Sequence, residues 1–229
     1  MTTNEYIIEK YKGIEDIQKF YYKDNGRILD GVVLPNKIDN RHLSAPTDNQ
    51  GNTSQCACYS ICNIFESYYW KFTGKLINLN PEQVYAGAKL LDHDKNGDGT
   101  YLECAIQSAW SLCGFKGSPK IGFIYNDKTE NTLMAIKRAV HSYDFVHAGF
   151  MIRSGWFNKS QDDYIIDNSG STAGGHAVVI NYYDTESLAI QNSWGRNWGT
   201  KGMAVIPNKI ALDQLMYCCY IENIYNQFI

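Results

Sequence analysis

The stretch NQGNTSQCACYSIC, residues 49–62, carries three cysteines, Cys56, Cys58 and Cys62. A thiolate is a strong nucleophile, and at most one of the close pair Cys56 and Cys58 can work as one. Residues 56 to about 72 read as a helix, on which two positions correspond to roughly 200° of rotation. Cys56 and Cys58 therefore point in nearly opposite directions. Cys58 shares an apolar face with Ile61, Cys62, Phe65 and Tyr69, whereas Cys56 shares a polar stripe with Ser60, Asn63, Ser67 and Lys71. Cys56 also falls in the first turn, where unpaired N–H groups and the helix dipole stabilise an anion and lower a thiol pKa. The same N–H groups can receive a developing oxyanion. This stretch by itself is equally compatible with a free surface thiol at Cys56.

A thiol nucleophile needs a base, and the base needs an orienting partner. The chain has five histidines: His42, His93, His141, His147 and His176. His176 opens a clean strand, GGHAVVINYY, after two glycines that clear space around it. His147 lies in another β-rich run, FVHAGFMI, without such a pair and without an evident polar orienter. The His176 strand turns at DTES and returns as LAIQNSWG, a hairpin that brings Asn192 roughly opposite its start. An amide oxygen there can accept one imidazole N–H and hold the tautomer whose other nitrogen faces the thiol.

The elements that must position these groups differ between the two halves. After the helix at 56–72, NPEQVYAGAKLL reads as a second, with Asn80 as cap and Pro81 at its first position. YLECAIQSAWSLCG reads as a third, stopped by Gly114. Beyond about residue 120, KIGFIY, FVHAGFMI, HAVVINYY, LAIQNSW and GMAVIP are short β-rich runs, with one helix, ENTLMAIKRAVHSY, among them. A helical front and a mostly β rear predict two lobes of different class, with a cleft between them as the natural place for a site. Residues 1–33 precede the domain; Ile7, Tyr11, Ile14, Ile17 and Tyr21 recur at helical spacing and predict an amphipathic helix.

The 229 residues are 44 % hydrophobic and 20 % charged, with a net charge of −3, so neither a nucleic-acid surface nor a membrane is the expected partner. No apolar run approaches the roughly 18 residues of a membrane span. MTTNEYIIEKYKG lacks the basic start and apolar core of a secretory signal, which predicts a cytoplasmic location, secretion being the alternative if a leader has been removed. Seven cysteines is an odd number, and a fully reduced set is the simplest reading; the six other than Cys56 sit in apolar neighbourhoods as small core residues.

Three separate blocks, in order, resemble the papain and cathepsin family of cysteine peptidases. DNQGNTSQC sets Gln50 six residues before Cys56; GGHAVVINYY carries His176; QNSWGRNWGTKGM carries Asn192, Trp194 and Trp198 with their glycines. Weaker agreement runs through LPNKIDNRHLSAP, NPEQVY and GDGTYLECAI, so that about residues 34 to 207 are covered. The resemblance implies an α+β, two-lobed papain-like fold: a helical lobe over about 45–120, and a β-barrel-like lobe over about 121–229 with the 34–44 strap. It implies Cys56 as nucleophile, His176 as base and then acid, Asn192 as orienter, and Gln50 with the Cys56 N–H as oxyanion donors. Trp194 would shield the His–Asn pair, and Gly99, Tyr101, Leu102, Gly175 and Ala177 would line the substrate cleft, with an apolar pocket for the residue next but one to the scissile bond. The activity implied is peptide hydrolysis through a thioester on Cys56, with no cofactor in the chemistry and a peptide or protein as substrate. An acyl or peptidyl transferase on the same groups, or a silent binding module of the same fold, are the alternatives. Thr53 stands where the family usually has a disulfide-forming cysteine, which is closer to bacterial-type members. Ala57 replaces an aromatic, and Gln55 is bulkier than usual. The first 33 residues are shorter than a typical inhibitory prosegment; obstruction of the cleft is expected of them, a structural belt away from the site or a loose tail being the alternatives.

DHDKNGDGTYLE, residues 92–103, matches the calcium-loop pattern D-x-[DN]-x-[DN]-G-x₅-E. Asp92, Asp94, Asn96, Asp98 (through its carbonyl) and Glu103 would be the ligands of a structural calcium ion. The rival reading is an acidic, glycine-rich surface turn.

Overall fold

The computed structural model describes residues 33–228. The amphipathic segment anticipated before them lies outside the described residues. The long helix α1 spans Cys56–Thr73. It is followed by α2 (Pro81–Leu91), α3 (Leu102–Leu112), α4 (Glu130–Tyr143) and the short α5 (Asn208–Gln214). Asn80 does cap α2, its side chain accepting from the Glu82 and Gln83 N–H groups at 2.9 and 3.3 Å. Thr129 caps α4 through the Asn131 N–H at 3.1 Å.

The strands are β1 (Ile38–Asp39), β2 (Ile121–Tyr125), β3 (Val146–Arg153), β4 (Thr172–Tyr183), β5 (Ser187–Gln191), β6 (Met203–Pro207) and β7 (Leu215–Ile221). They form one antiparallel sheet in the order β2-β7-β3-β4-β5-β6, with β1 added against the end of β4. Every β-rich run read from the sequence is a strand, but β7 was not among them. LMYCCYI is covered on both sides over most of its length, so it lacks the alternation that marks a half-exposed strand.

The sheet is a layer shared by two apolar clusters. On β4, Val178 and Ile180 face the cluster that contains α4, while Ala177 and Val179 face the cluster built from α1, α2 and α3. The two-residue period of β7 sends the adjacent Cys218 and Cys219 into opposite clusters. None of the seven cysteines is in a disulfide. Cys58, Cys62, Cys104, Cys218 and Cys219 are buried, and Cys113 is half-buried against the helical cluster.

Burial extends around α1 as well. Ser60, Asn63 and Ser67, members of the polar stripe, are buried rather than solvated. Asn63 donates to the Ala45 and Pro46 carbonyls, and the Ser67 hydroxyl accepts from the Ala45 N–H at 2.8 Å. Ser60 Oγ lies 2.7 Å from His147 Nε2 on β3. The stripe is polar because it seals α1 to the 45–46 strap and to the sheet, where backbone groups need partners.

Candidate active site

Cys56 is the first residue of α1, and Cys58 and Tyr59 donate their N–H groups to the carbonyl of Gln55 behind it. Cys58 has no exposed surface, whereas Cys56 lines a cleft of about 330 Å³. His176 and Ala177 line the same cleft from β4, so the thiol and the imidazole share one space. Burial pushes the Cys56 thiol up from its ordinary value, and the Ala177 N–H and the N–H groups at the head of α1 offset part of that rise by favouring the thiolate.

His176 lies near the start of β4. The glycines before it act differently from the expectation that they clear space. Gly174 has φ of +134°, a conformation that side chains other than glycine rarely adopt, and a Cβ there would meet nothing within 4 Å. Conformation, rather than room, requires glycine at 174. The register pairs Val179 with Gln191, so that Asn192 follows directly on β5 and reaches back to the histidine. His176 Nε2 and Asn192 Oδ1 are 2.7 Å apart. The amide oxygen also accepts the Ser193 N–H at 2.8 Å, which fixes it as the acceptor end. Nε2 must then carry the proton, and Nδ1 is the imidazole's remaining basic nitrogen. Burial pulls His176 down to about 4, and the Asn192 hydrogen bond opposes this. The Trp194 ring stacks on the imidazole with centroids 4.5 Å apart, Trp198 meets Trp194 edge-on, and the half-exposed Phe157 extends the aromatic shelf.

Gln50 belongs to the loop that leads into α1, and that loop is stitched to the Asn192 segment. Gln50 donates its N–H to the Ser193 carbonyl at 2.8 Å, and Gly195 donates to the Asp48 carbonyl at 2.9 Å. Its side-chain oxygen accepts the Ser193 hydroxyl at 2.6 Å, and its amide nitrogen donates one hydrogen to the Thr53 carbonyl at 2.7 Å. Ser193 was visible within NSWG, but its hold on Gln50 depends on the loops meeting in space.

Of the remaining cleft residues, Gly99, Tyr101, Leu102 and Gly175 line the same cavity as Cys56. Gly149, Met216 and Tyr217 join them from β3 and β7. Nothing near Cys56 in sequence pointed to these, because β7 reaches the cleft from the far end of the chain. Met216 spreads over the bare backbone of Gly149 and Gly175; a Cβ at either would stand 3.4 or 3.7 Å from its methyl.

The calcium reading of residues 92–103 is not shown by the structure. Among the described residues no group of three acidic, histidine or cysteine side chains converges on a common point. Asp92 Oδ1 accepts the Asp94 N–H at 2.8 Å, and Asp94 Oδ1 accepts the Gly97 N–H at 2.9 Å, so these carboxylates close turns. The Asp98 carbonyl accepts from Tyr85 Oη at 2.7 Å. Asn96 is exposed, and Glu103, already in α3, accepts from Tyr217 Oη at 3.0 Å. The oxygens that do converge surround the ammonium of Lys89, which approaches Asp92 Oδ2 and the carbonyls of Asp94, Gly97 and Gly99.

Sequence comparison finds mouse (Mus musculus) cathepsin K 24 % identical over 89 % of this chain and 70 % of its own length. Cysteine proteinase 2 of Zea mays is 27 % identical over 75 % of this chain, and the match spans 55 % of its length. Xylellain, a cysteine protease from Xylella fastidiosa, superposes with a TM-score of 0.63 at 16 % identity, covering 91 % of this chain and 93 % of that structure. In sequence the chain is similar to cysteine proteases of the cathepsin type, and its fold is papain-like. Its papain-like fold places the cleft where the helical and sheet clusters meet. A family model described only as a protein of unknown function (DUF3929) matches residues 5–69, which include the head of α1. No helix among the described residues is long and apolar enough to cross a membrane.

Proposed function

We propose that this papain-like chain hydrolyses peptide bonds through a covalent thioester on Cys56. The observation that carries the proposal is the 2.7 Å contact between His176 Nε2 and Asn192 Oδ1, which leaves Nδ1 as the basic nitrogen in a cleft shared with Cys56. In this scheme Nδ1 takes the thiol proton as Sγ attacks the scissile carbonyl carbon. The carbonyl oxygen becomes an oxyanion, facing the Cys56 N–H and the second amide hydrogen of Gln50, the one not used by Thr53. The C–N bond breaks as the amine departs with the proton from His176. A water then gives a proton to Nδ1 and attacks the thioester carbon; the C–S bond breaks, the Cys56 sulfur recovers the proton from Nδ1, and the peptide acid departs. All groups in the cycle are side chains or backbone of this chain, and no cofactor takes part.

Gly99, Tyr101, Leu102, Gly175 and Ala177 form the walls against which a peptide would lie, and Trp194 keeps water from the His176–Asn192 pair. Residues 1–33 would act as an internal partner that partly obstructs the cleft, a reading supported by their amphipathic spacing directly before the domain. The deciding experiment combines a thiol-directed epoxide with a fluorogenic peptide. Labelling of Cys56 together with loss of turnover is expected. Labelling at Cys58 with Cys56 unmodified would overturn the mechanism.

A further inference from the structure

The Lys89 ammonium sits among four oxygens. Asp92 Oδ2 is at 3.2 Å, the Gly97 carbonyl at 3.0 Å, the Gly99 carbonyl at 3.1 Å, and the Asp94 carbonyl completes the set. Its side chain is only 16 % exposed, and that of Asp92 is 1 % exposed. Three hydrogens serve four acceptors, so the group acts as a small cation as well as a donor. The other holds on this loop are the turns closed by Asp92 and Asp94 and the Tyr85 hydroxyl on the Asp98 carbonyl. Residues 93–96 and 98–99 are exposed, and no helix or strand occurs between Leu91 and Leu102. The turn at Gly97 is tight: a Cβ there would lie 2.3 Å from Asp94 Oδ2. A second lysine, Lys95, folds back and donates to the Lys89 and Leu90 carbonyls at 2.9 and 2.6 Å, closing the end of α2 over the same turn. Asp92, Asp94 and Gly99 are wall residues of the cleft that holds Cys56 and His176.

We propose that Lys89 is the resident cation of this loop: it holds the loop as the cleft wall and is a positioning residue for substrate binding, without touching the reacting atoms. The acid-rich spacing that resembles a calcium loop is the shell of an ammonium supplied by the preceding helix. Carbonyls drawn together around a positive charge repel one another without it, so removing the amine should open the turn and shift Gly99 away from an incoming peptide backbone. The kinetic part rests on the peptidase reading; the structural part does not.

The test uses the full chain with Lys89→Ala, and Asp92→Asn as a milder variant that keeps the amine. For Lys89→Ala, KM for a peptide substrate should rise about tenfold, in line with loss of charge-assisted hydrogen bonds. Turnover number and the rate of Cys56 alkylation by iodoacetamide should stay within about twofold, as expected for an interaction outside the transition state. Amide hydrogen exchange should accelerate across 92–101 and not in α1 or β4. Methylammonium should lower KM toward the parent value, whereas tetramethylammonium at equal ionic strength, which has no N–H, should not. Asp92→Asn should give a smaller change of the same kind. Unchanged exchange across 92–101, a fall in turnover number with KM unchanged, or equal rescue by both ammonium salts would overturn the assignment. A parent chain that alkylates normally but turns over no peptide would sink the peptidase reading, leaving the exchange data to decide on Lys89.

Discussion

His147 should make the fold acid-sensitive in a way that can be separated from every other titration. It is 1 % exposed on β3, its Nε2 meets Ser60 Oγ at 2.7 Å, and its Nδ1 has no hydrogen-bond partner. A proton on Nε2 leaves only a bare lone pair at Nδ1, less costly to bury than an N–H. Burial pulls the imidazole from 6.5 down to about 3, so in the native state it stays neutral through the weakly acidic range. The unfolded chain binds a proton there as pH falls through 6.5, and the native chain does not until about 3. Stability from this group is therefore complete above 6.5 and lost progressively below it. At about 1.36 kcal/mol per unit, the loss is about 2 kcal/mol between pH 7 and 5 and about 4 kcal/mol by pH 3.5. His176, held down to about 4, adds a loss of the same sign, so the parent must be compared with a variant that retains it. His147→Asn removes the titration and keeps an N–H donor near Ser60. Its whole stability curve should be lower because of the volume lost, by about 2 kcal/mol. Urea unfolding followed by tryptophan fluorescence at pH 7 and pH 5 gives the comparison. The parent should lose about 2 kcal/mol more than the variant over that interval. Parallel losses in the two proteins would refute the argument that a neutral buried imidazole sets this slope.

Four further outcomes follow from the site. Cys56→Ser should fold and lose at least about 10³-fold in turnover, as expected for removal of a nucleophile, while Cys58→Ala should stay active and melt at a lower temperature; both are read by peptide assay and thermal unfolding. Asn192→Ala should reduce turnover by about 10²-fold and depress the His176 pKa further, visible in the NMR titration of the imidazole, since the hydrogen bond it removes is the one that raises that pKa. Deleting residues 1–30 should raise turnover of a small fluorogenic peptide, and a folded deletion with unchanged kinetics would exclude obstruction. Millimolar calcium should leave the melting temperature of the parent unchanged, because the converging oxygens already surround Lys89; a rise of several degrees would show ion binding at the native state.

Local chemistry made much of the chain readable without coordinates. Asn80–Pro81, the apolar period of ENTLMAIKRAVHSY and the β-rich runs each announce an element because cap, period and propensity are properties of a few neighbouring residues. The opposite fates of Cys56 and Cys58 follow from helix rotation alone, and the reach of Asn192 toward His176 follows from one hairpin. What depends on distant segments was not readable. β7 inserts between β2 and β3, and its doubly covered residues carry no alternating signal. Met216 and Tyr217 enter the cleft from that strand, and Ser193 grips Gln50 only because two loops far apart in sequence are laid side by side. The loop at 92–103 shows the difference most sharply. Its spacing is that of a metal site, but spacing specifies which oxygens can converge and not which cation they receive. That was decided by α2, whose packing against its neighbours sets the direction of its last turn and so brings the Lys89 amine among those oxygens.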